Sequence, residues 1–283
     1  MTKLRKPPPP ITLPLPATRP RDAELAEAEL RDALAGAMIH ALYQPIVRLS
    51  DRRPVGMEVL ARLEHPSHGT MSPGNFVPPM EDAGLAWPLT EAIMRRAFAD
   101  WGGLRLDALD MTLALNLPLD VLLIPEALAT LDRERAAAGI APGRVVIELT
   151  ESRPVVRLPE IRAAVAYLRG IGYGLAIDDV GPLIRDHTPL LDMGFTSLKL
   201  DKDLVQQAPN DPAVQAFLLR AIAGARAAGL KLVAEGIEEA ADWARMRALG
   251  VDYAQGYLVG HPLTAPEVLP WHRAWCDRPA RPG

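Results

Sequence analysis

Residues 174–201 read GLAIDDVGPLIRDHTPLLDMGFTSLKLD. A short apolar run, Gly174–Ile177, stops at two aspartates, Asp178 and Asp179; a second run, Ser197–Leu200, stops at Asp201. Short apolar runs bounded by turn signals suit buried strands. The rhythm extends both ways, giving strand candidates at Tyr43–Leu49, Val55–Leu63, Met111–Leu117, Arg144–Leu149, Lys231–Ala234 and Asp252–Val259. Longer amphipathic stretches lie between them: Pro88–Trp101, Pro125–Ala138, Pro159–Arg169, Pro212–Ala228 and Glu238–Leu249. Several open on proline and stop at glycine (Gly102, Gly139, Gly170, Gly229, Gly250), as helices do. Strands alternating with helices indicate parallel β/α construction. About eight strands over roughly 240 residues fit a closed (β/α)8 TIM-like barrel better than an open sheet, although periodicity alone admits a doubly wound sheet.

Composition narrows the classes. The chain has 283 residues, 49% hydrophobic and 23% charged, enough to bury a large core without disulfides. A formal net charge of −4 argues against binding polymeric nucleic acid or an anionic membrane. Cys276 is the only cysteine, which excludes an internal disulfide or thiolate cluster, and the six histidines form no zinc-binding spacing. No run is long and apolar enough to span a membrane. The N-terminus is basic and then proline-rich, unlike a secretion signal, so a cytoplasmic location is expected. Pro7–Pro10, Pro14, Pro16 and Pro20 make residues 1–21 an expected disordered tail, conceivable as a handle for an unknown partner. Residues 22–278 are expected to form one domain. It would open with a helix from near Asp22 to about Ala41, on Leu25, Leu30, Leu34 and Met38.

The informative feature is where polar residues fall. Glu58 lies in GMEVLAR, Asn116 ends TLALN, and Glu148 and Glu151 sit in VVIELTE. Asp178 and Asp179 follow GLAI, Lys199 and Asp201 lie in SLKLD, Glu235 and Glu238 follow KLVA, and Gln255 lies in YAQGY. One acid after a strand is usually a helix cap or a solvated loop residue. Acids or amides at so many strand ends make that explanation weak. In a barrel these ends converge on one face, where packed carboxylates repel unless cations lie among them. Oxygen donors suit Mg²⁺ or Mn²⁺ better than zinc. Two such ions sharing a carboxylate, with Asp178 and Asp179 as the natural bridge, are the usual apparatus of in-line phosphoester cleavage. Lys199 could then orient the attacking water.

The ordered segments YQPIVRLSD, GMEVLARLEHPSHGTMSPGNFVPPMEDAGL, ALNLP, VIELTES, AIDDVG, LKLDKDLV, VAEGIEE and YAQGYLVG resemble the EAL-domain phosphodiesterases, which cleave cyclic di-GMP to the linear dinucleotide. The resemblance spans Tyr43 to about Pro262. It implies a barrel whose first strand is antiparallel to the rest. It also implies one metal on Glu58, Asn116, Glu148 and Asp178, and a second on Asp178, Asp179 and Glu235. Lys199, Glu235, Gln255 and Asp201 would form the catalytic set. Gln44, Leu60, Arg62 and Glu238 would contact cyclic di-GMP, Arg62 at a phosphate, and Glu151 would anchor the loop after the aspartates.

The sequence departs from this pattern at Val59, at Val180 and in the loop Gly181–His187, where bulky residues and Pro182 replace small and hydroxylated ones. The family uses that loop to position the aspartates and to form dimers, so the change bears on metal occupancy, turnover and homodimer formation alike. Val59 is expected to crowd the backbone near the phosphate. The competing reading is a binding module that keeps the pocket and no longer turns over. An enolase-type proton abstraction would need a capping domain, for which the residues before Tyr43 leave little room.

Overall fold

The structure is a computed structural model that describes residues 25–150, 158–180 and 188–277. The proline-rich tail, Glu151 and the loop Gly181–His187 lie outside the described residues. The chain opens with α1 (Glu27–Ala35) and then an antiparallel pair, β1 (Ile39–Arg48) and β2 (Pro54–His65). β3 (Gly69–Met71), α2 (Pro73–Asp82) and α3 (Ala86–Leu104) follow. Next come β4 (Thr112–Pro118), α4 (Leu119–Leu122), α5 (Pro125–Ala137), β5 (Val145–Thr150), α6 (Leu158–Ile171) and β6 (Gly174–Val180). The last stretch holds α7 (Thr188–Leu191), β7 (Ser197–Leu200), α8 (Lys202–Gln207), α9 (Pro212–Ala227), β8 (Lys231–Ala234), α10 (Ala240–Ala248), β9 (Tyr253–Gln255) and α11 (Ala265–Cys276).

The strands β2 and β4–β9 pair in parallel, in the order β2-β4-β5-β6-β7-β8-β9. β1 closes the ring, antiparallel to both β2 and β9. The expected barrel with one reversed strand is therefore the observed one, and β3 hangs on β2 outside it. Closure satisfies every sheet edge but that of the short hairpin, and it brings the parallel strands' C-terminal ends to one mouth. One apolar cluster links strands and helices around the ring, including Met57, Leu113, Ile147, Leu175, Leu198 and Leu232. A second, smaller core lies beside it, built from Leu25, Leu30, Ala33, Ile39, Leu63, Met71, Phe76, Met80, Leu85 and Leu89.

Three expectations are corrected. The first helix stops at Ala35 instead of running to Ala41: Gly36 caps it and Ala37 takes a left-handed φ of 52°. The next residues pair as strand instead, Ile39 opposite Leu63 through Tyr43 opposite Val59, so tertiary pairing overrides an Ala/Leu-rich helical composition. β9 stops at Gln255 although an apolar run to Val259 was expected. There Gly256 adopts φ 149°, and a Cβ at this position would run into the backbone of Ile237. Finally, α2 stands where no element was expected: Pro73 opens it in the first turn, while Pro78 and Pro79 lie inside it, where proline ordinarily disfavours a helix.

Gly256→Ala tests the second point. We expect a loss of about 2–3 kcal/mol, seen as a melting temperature lower by about 4–12 °C. An unchanged melting curve would show that the turn after β9 tolerates a side chain.

Candidate metal and substrate site

The barrel's register assembles the site. Gln44 on β1 lies opposite Glu58 on β2, and Asn116 on β4 lies beside Glu148 on β5. Asp178 on β6, Lys199 on β7 and Gln255 on β9 continue the ring, with Glu235 one residue beyond β8. All eight line a single cleft of about 560 Å³ except Glu148, which lies beneath it, fully enclosed. Residues distant in sequence thus meet as expected.

Lys199 sits at the centre, 1% exposed. Its Nζ lies 2.7 Å from Glu235, 2.8 Å from Glu148, 3.0 Å from Asp178 and 3.6 Å from Glu58. Asn116 Nδ2 donates to Glu58 Oε1 at 2.9 Å, and Gln255 Nε2 donates to Glu58 Oε2 and, at 3.1 Å, to Gln44 Oε1. Four carboxylates against one ammonium leave an excess of negative charge in a desolvated place. The balance of burial and charge shifts each group accordingly. Burial opposes the charge on Lys199, yet the four acids hold its pKa well above the ordinary value. Burial also tends to raise Glu58, but Lys199 and the bonds from Asn116 and Gln255 outweigh it and bring Glu58 below its ordinary value. Glu148 is pushed well above the usual range by burial, with Glu58 and Asp178 adding to it against Lys199. Glu235, at 17% the most exposed of the four, is driven up to about 8, chiefly by burial.

These observations fit a divalent cation. Carboxylate oxygens of Glu58, Glu148 and Asp178 all lie within 4.8 Å of one another. The donors are oxygens, as hard ions prefer. Gln255 Oε1 is buried and finds no partner among the described residues, which leaves an unused oxygen acceptor on the side chain that binds Glu58. The side chain of Asp179 falls outside the described residues.

The remaining expected residues fall into place unevenly. Leu60, Gln44 and Glu238 line the cleft. Glu238 pairs with Lys202 across the rim at 2.7 Å. Arg62 turns its guanidinium onto the Ala61 carbonyl at 2.7 Å and is not among the cleft-lining residues. Asp201 caps α8, accepting from the Asp203 and Leu204 amides at 2.8 and 3.4 Å, and it too lies off the cleft lining. Val59 is buried in the barrel core as well as touching the cleft, so its methyls are taken up largely by packing. Sequence reading missed the cleft's apolar wall, formed by Pro73, Val77 and Pro78 of α2 and Leu89 and Ile93 of α3, and it missed Tyr257 on the rim. Periodicity located α3, as Pro88–Trp101, without showing that it lines the cleft; nothing in the proline-rich α2 signals a lining helix.

Comparison with known proteins names the class. The EAL domain family matches residues 27–262, and the chain belongs to that family. It is 31% identical to the cyclic di-GMP phosphodiesterase RocR of Pseudomonas aeruginosa, over 86% of this chain and 63% of that protein. It is also 31% identical to the bifunctional diguanylate cyclase/cyclic di-GMP phosphodiesterase MucR of the same organism, over 85% of this chain but 35% of that one. The chain thus spans less than two thirds of these relatives' lengths. Among solved structures, the MucR phosphodiesterase in complex with c-di-GMP superposes with a TM-score of 0.79 at 28% identity, covering 85% of this chain and 98% of that one. Among the described residues, no helix is long and apolar enough to cross a membrane.

Metal-free protein offers a direct check on the crowded carboxylates. Between 4.5, the ordinary value, and about 8, Glu235 carries a proton in the folded chain and not in the unfolded one. Folded-state proton binding in excess means that stability falls as pH rises through this window. Thermal unfolding in EDTA should therefore show a melting temperature that declines across it, and Glu235→Gln should flatten the decline. The same slope in wild type and variant would contradict the assignment.

Proposed function

We propose that this chain is a metal-dependent phosphodiesterase that hydrolyses cyclic di-GMP to linear pGpG. The observation that carries the reading is the cage of four carboxylates around Lys199 at the floor of a cleft whose far wall is apolar. Membership of the EAL family and the names of the relatives support the substrate. The charged floor suits a phosphodiester with its counter-ions, and the apolar wall suits the faces of purine bases.

Glu58, Asn116, Glu148 and Asp178 would hold one Mg²⁺ or Mn²⁺, and Asp178, Asp179 and Glu235 a second. When bound, such ions neutralise phosphate charge and make water a stronger nucleophile at neutral pH. The chain's own groups do the rest. Lys199 Nζ, fixed by its four acceptors, directs a proton at the attacking water and holds its orientation. Glu235, once ionised, takes up a proton from that water; its carboxyl, the most exposed of the four, is the one best placed to exchange it with solvent. The water oxygen bonds to phosphorus as the bond to the 3′ oxygen breaks, and that oxygen takes a proton from solvent and leaves as a free hydroxyl. Gln255 keeps Glu58 and Gln44 in register. Arg62 would have to leave the Ala61 carbonyl to reach a phosphate, and Glu238 would meet the substrate from the Lys202 side of the rim.

The test is turnover. Purified protein with Mn²⁺ or Mg²⁺ should convert cyclic di-GMP to pGpG, followed by chromatography, and EDTA should stop it. Glu58→Gln should lower the rate by about a thousandfold together with Mn²⁺ affinity, whereas Lys199→Met should lower kcat by about a hundredfold or more with little change in KM. Tight cyclic di-GMP binding without product would replace this reading with a binding module.

A further inference from the structure

α2 presents two different faces. Pro73, Val77 and Glu81, one helical turn apart, line the cleft. Phe76 and Met80, also a turn apart, are fully buried on the other side. Both belong to the smaller core and neither to the barrel core. α2 is therefore anchored to the molecule through the smaller core. The barrel core contributes nothing to that anchor; of the barrel strands, Ile39 of β1 and Ala61 and Leu63 of β2 reach into the smaller core.

The N-terminal segment supplies a large share of that anchor. Leu25, Leu30 and Ala33 pack in the same cluster as Phe76 and Met80, with Leu30 2% and Ala33 1% exposed. The smaller core and the cleft also share a partition: Ala61, Val77, Leu89 and Ile93 pack against the one and line the other. A gap opened on the α1 side of this partition would be felt on its cleft side, because close-packed side chains have no slack to absorb it.

We propose that α1, seated in the smaller core, positions the α2 wall of the cleft, and that Leu30 and Ala33 are positioning residues for substrate binding. The identity of the substrate rests on the function proposed above; the mechanical coupling does not. When the wall is docked for only a fraction of the time, the apparent affinity drops by that fraction. The bound complex still reacts on a nearly undisturbed floor: Glu148, Asp178 and Lys199 stand on strands with no residue in the smaller core, and Glu58 lies on β2 several residues before Leu63, which that core holds. Displacing α1 thus weakens binding and spares chemistry.

The experiment compares wild type with Leu30→Ala, with Leu30→Val as a smaller cavity and Leu30→Met as the volume-conserving control. Amide hydrogen exchange is read without ligand at Phe76, Val77 and Met80, against β4–β8 as the reference. Exchange in α2 should quicken by about tenfold or more in Leu30→Ala and less in Leu30→Val, while the barrel strands stay protected. The KM for cyclic di-GMP should rise about three- to tenfold with kcat held within about twofold, and Leu30→Met should restore both. Unaltered α2 exchange in a folded Leu30 variant overturns the inference, as does a fall in kcat at constant KM. If wild type proves unable to cleave cyclic di-GMP, the proposed function fails, and the exchange data still decide the coupling.

Discussion

An ammonium group buried among carboxylates governs how this barrel is arranged. Lys199 is within 3.0 Å of three acids and 3.6 Å of a fourth, with almost no solvent contact. At an effective dielectric near 20, a unit pair at such distances attracts by roughly 5 kcal/mol. Each charge has also been desolvated, and the acids repel one another, so the cage is not a source of stability in itself. Its raised carboxyl pKa values show strain that more positive charge would relieve. A cluster retained at that cost is easier to understand as a site than as a structural device.

The barrel makes the cage possible because strand ends are the one place where seven or eight separate segments approach within side-chain reach. Register then fixes who meets whom. The antiparallel β1 sets Gln44 against Glu58, and through Gln255 the amides of β1 and β9 hold the Glu58 carboxylate. A one-residue slip in any of these strands would turn its polar group away from the mouth. The apolar pairs beside them, such as Tyr43 with Val59, oppose that slip by their burial.

This explains which parts of the molecule could be read from the chain alone. The barrel was legible because its strands are short apolar runs that alternate with helices. The floor of the site was legible because polar residues at strand ends break those runs in a repeated place. The boundary between α1 and β1 was not, since Ile39 and Ala41 suit either element and only pairing with β2 decides. α2 was hidden for the opposite reason: Pro78 and Pro79 argue against a helix locally, and burial of Phe76 and Met80 prevails. Asp201 and Arg62 show a further limit. Their motif positions say nothing of a bond to α8 amides or to the Ala61 carbonyl, because those depend on side-chain rotamers.

The cleft is consequently made of two parts with different mechanical support. Its floor is built on the closed ring, where every strand is paired on both sides and motion is costly. Its wall is carried by a helix with no residue in the barrel core, held by a small cluster that depends on a segment about forty residues earlier in the chain. Chemistry needs atoms fixed closely, whereas admission and release of a ligand need a surface that yields. Placing the first on the barrel and the second on the smaller core lets one chain meet both demands, since loosening the wall leaves the spacing around Lys199 untouched.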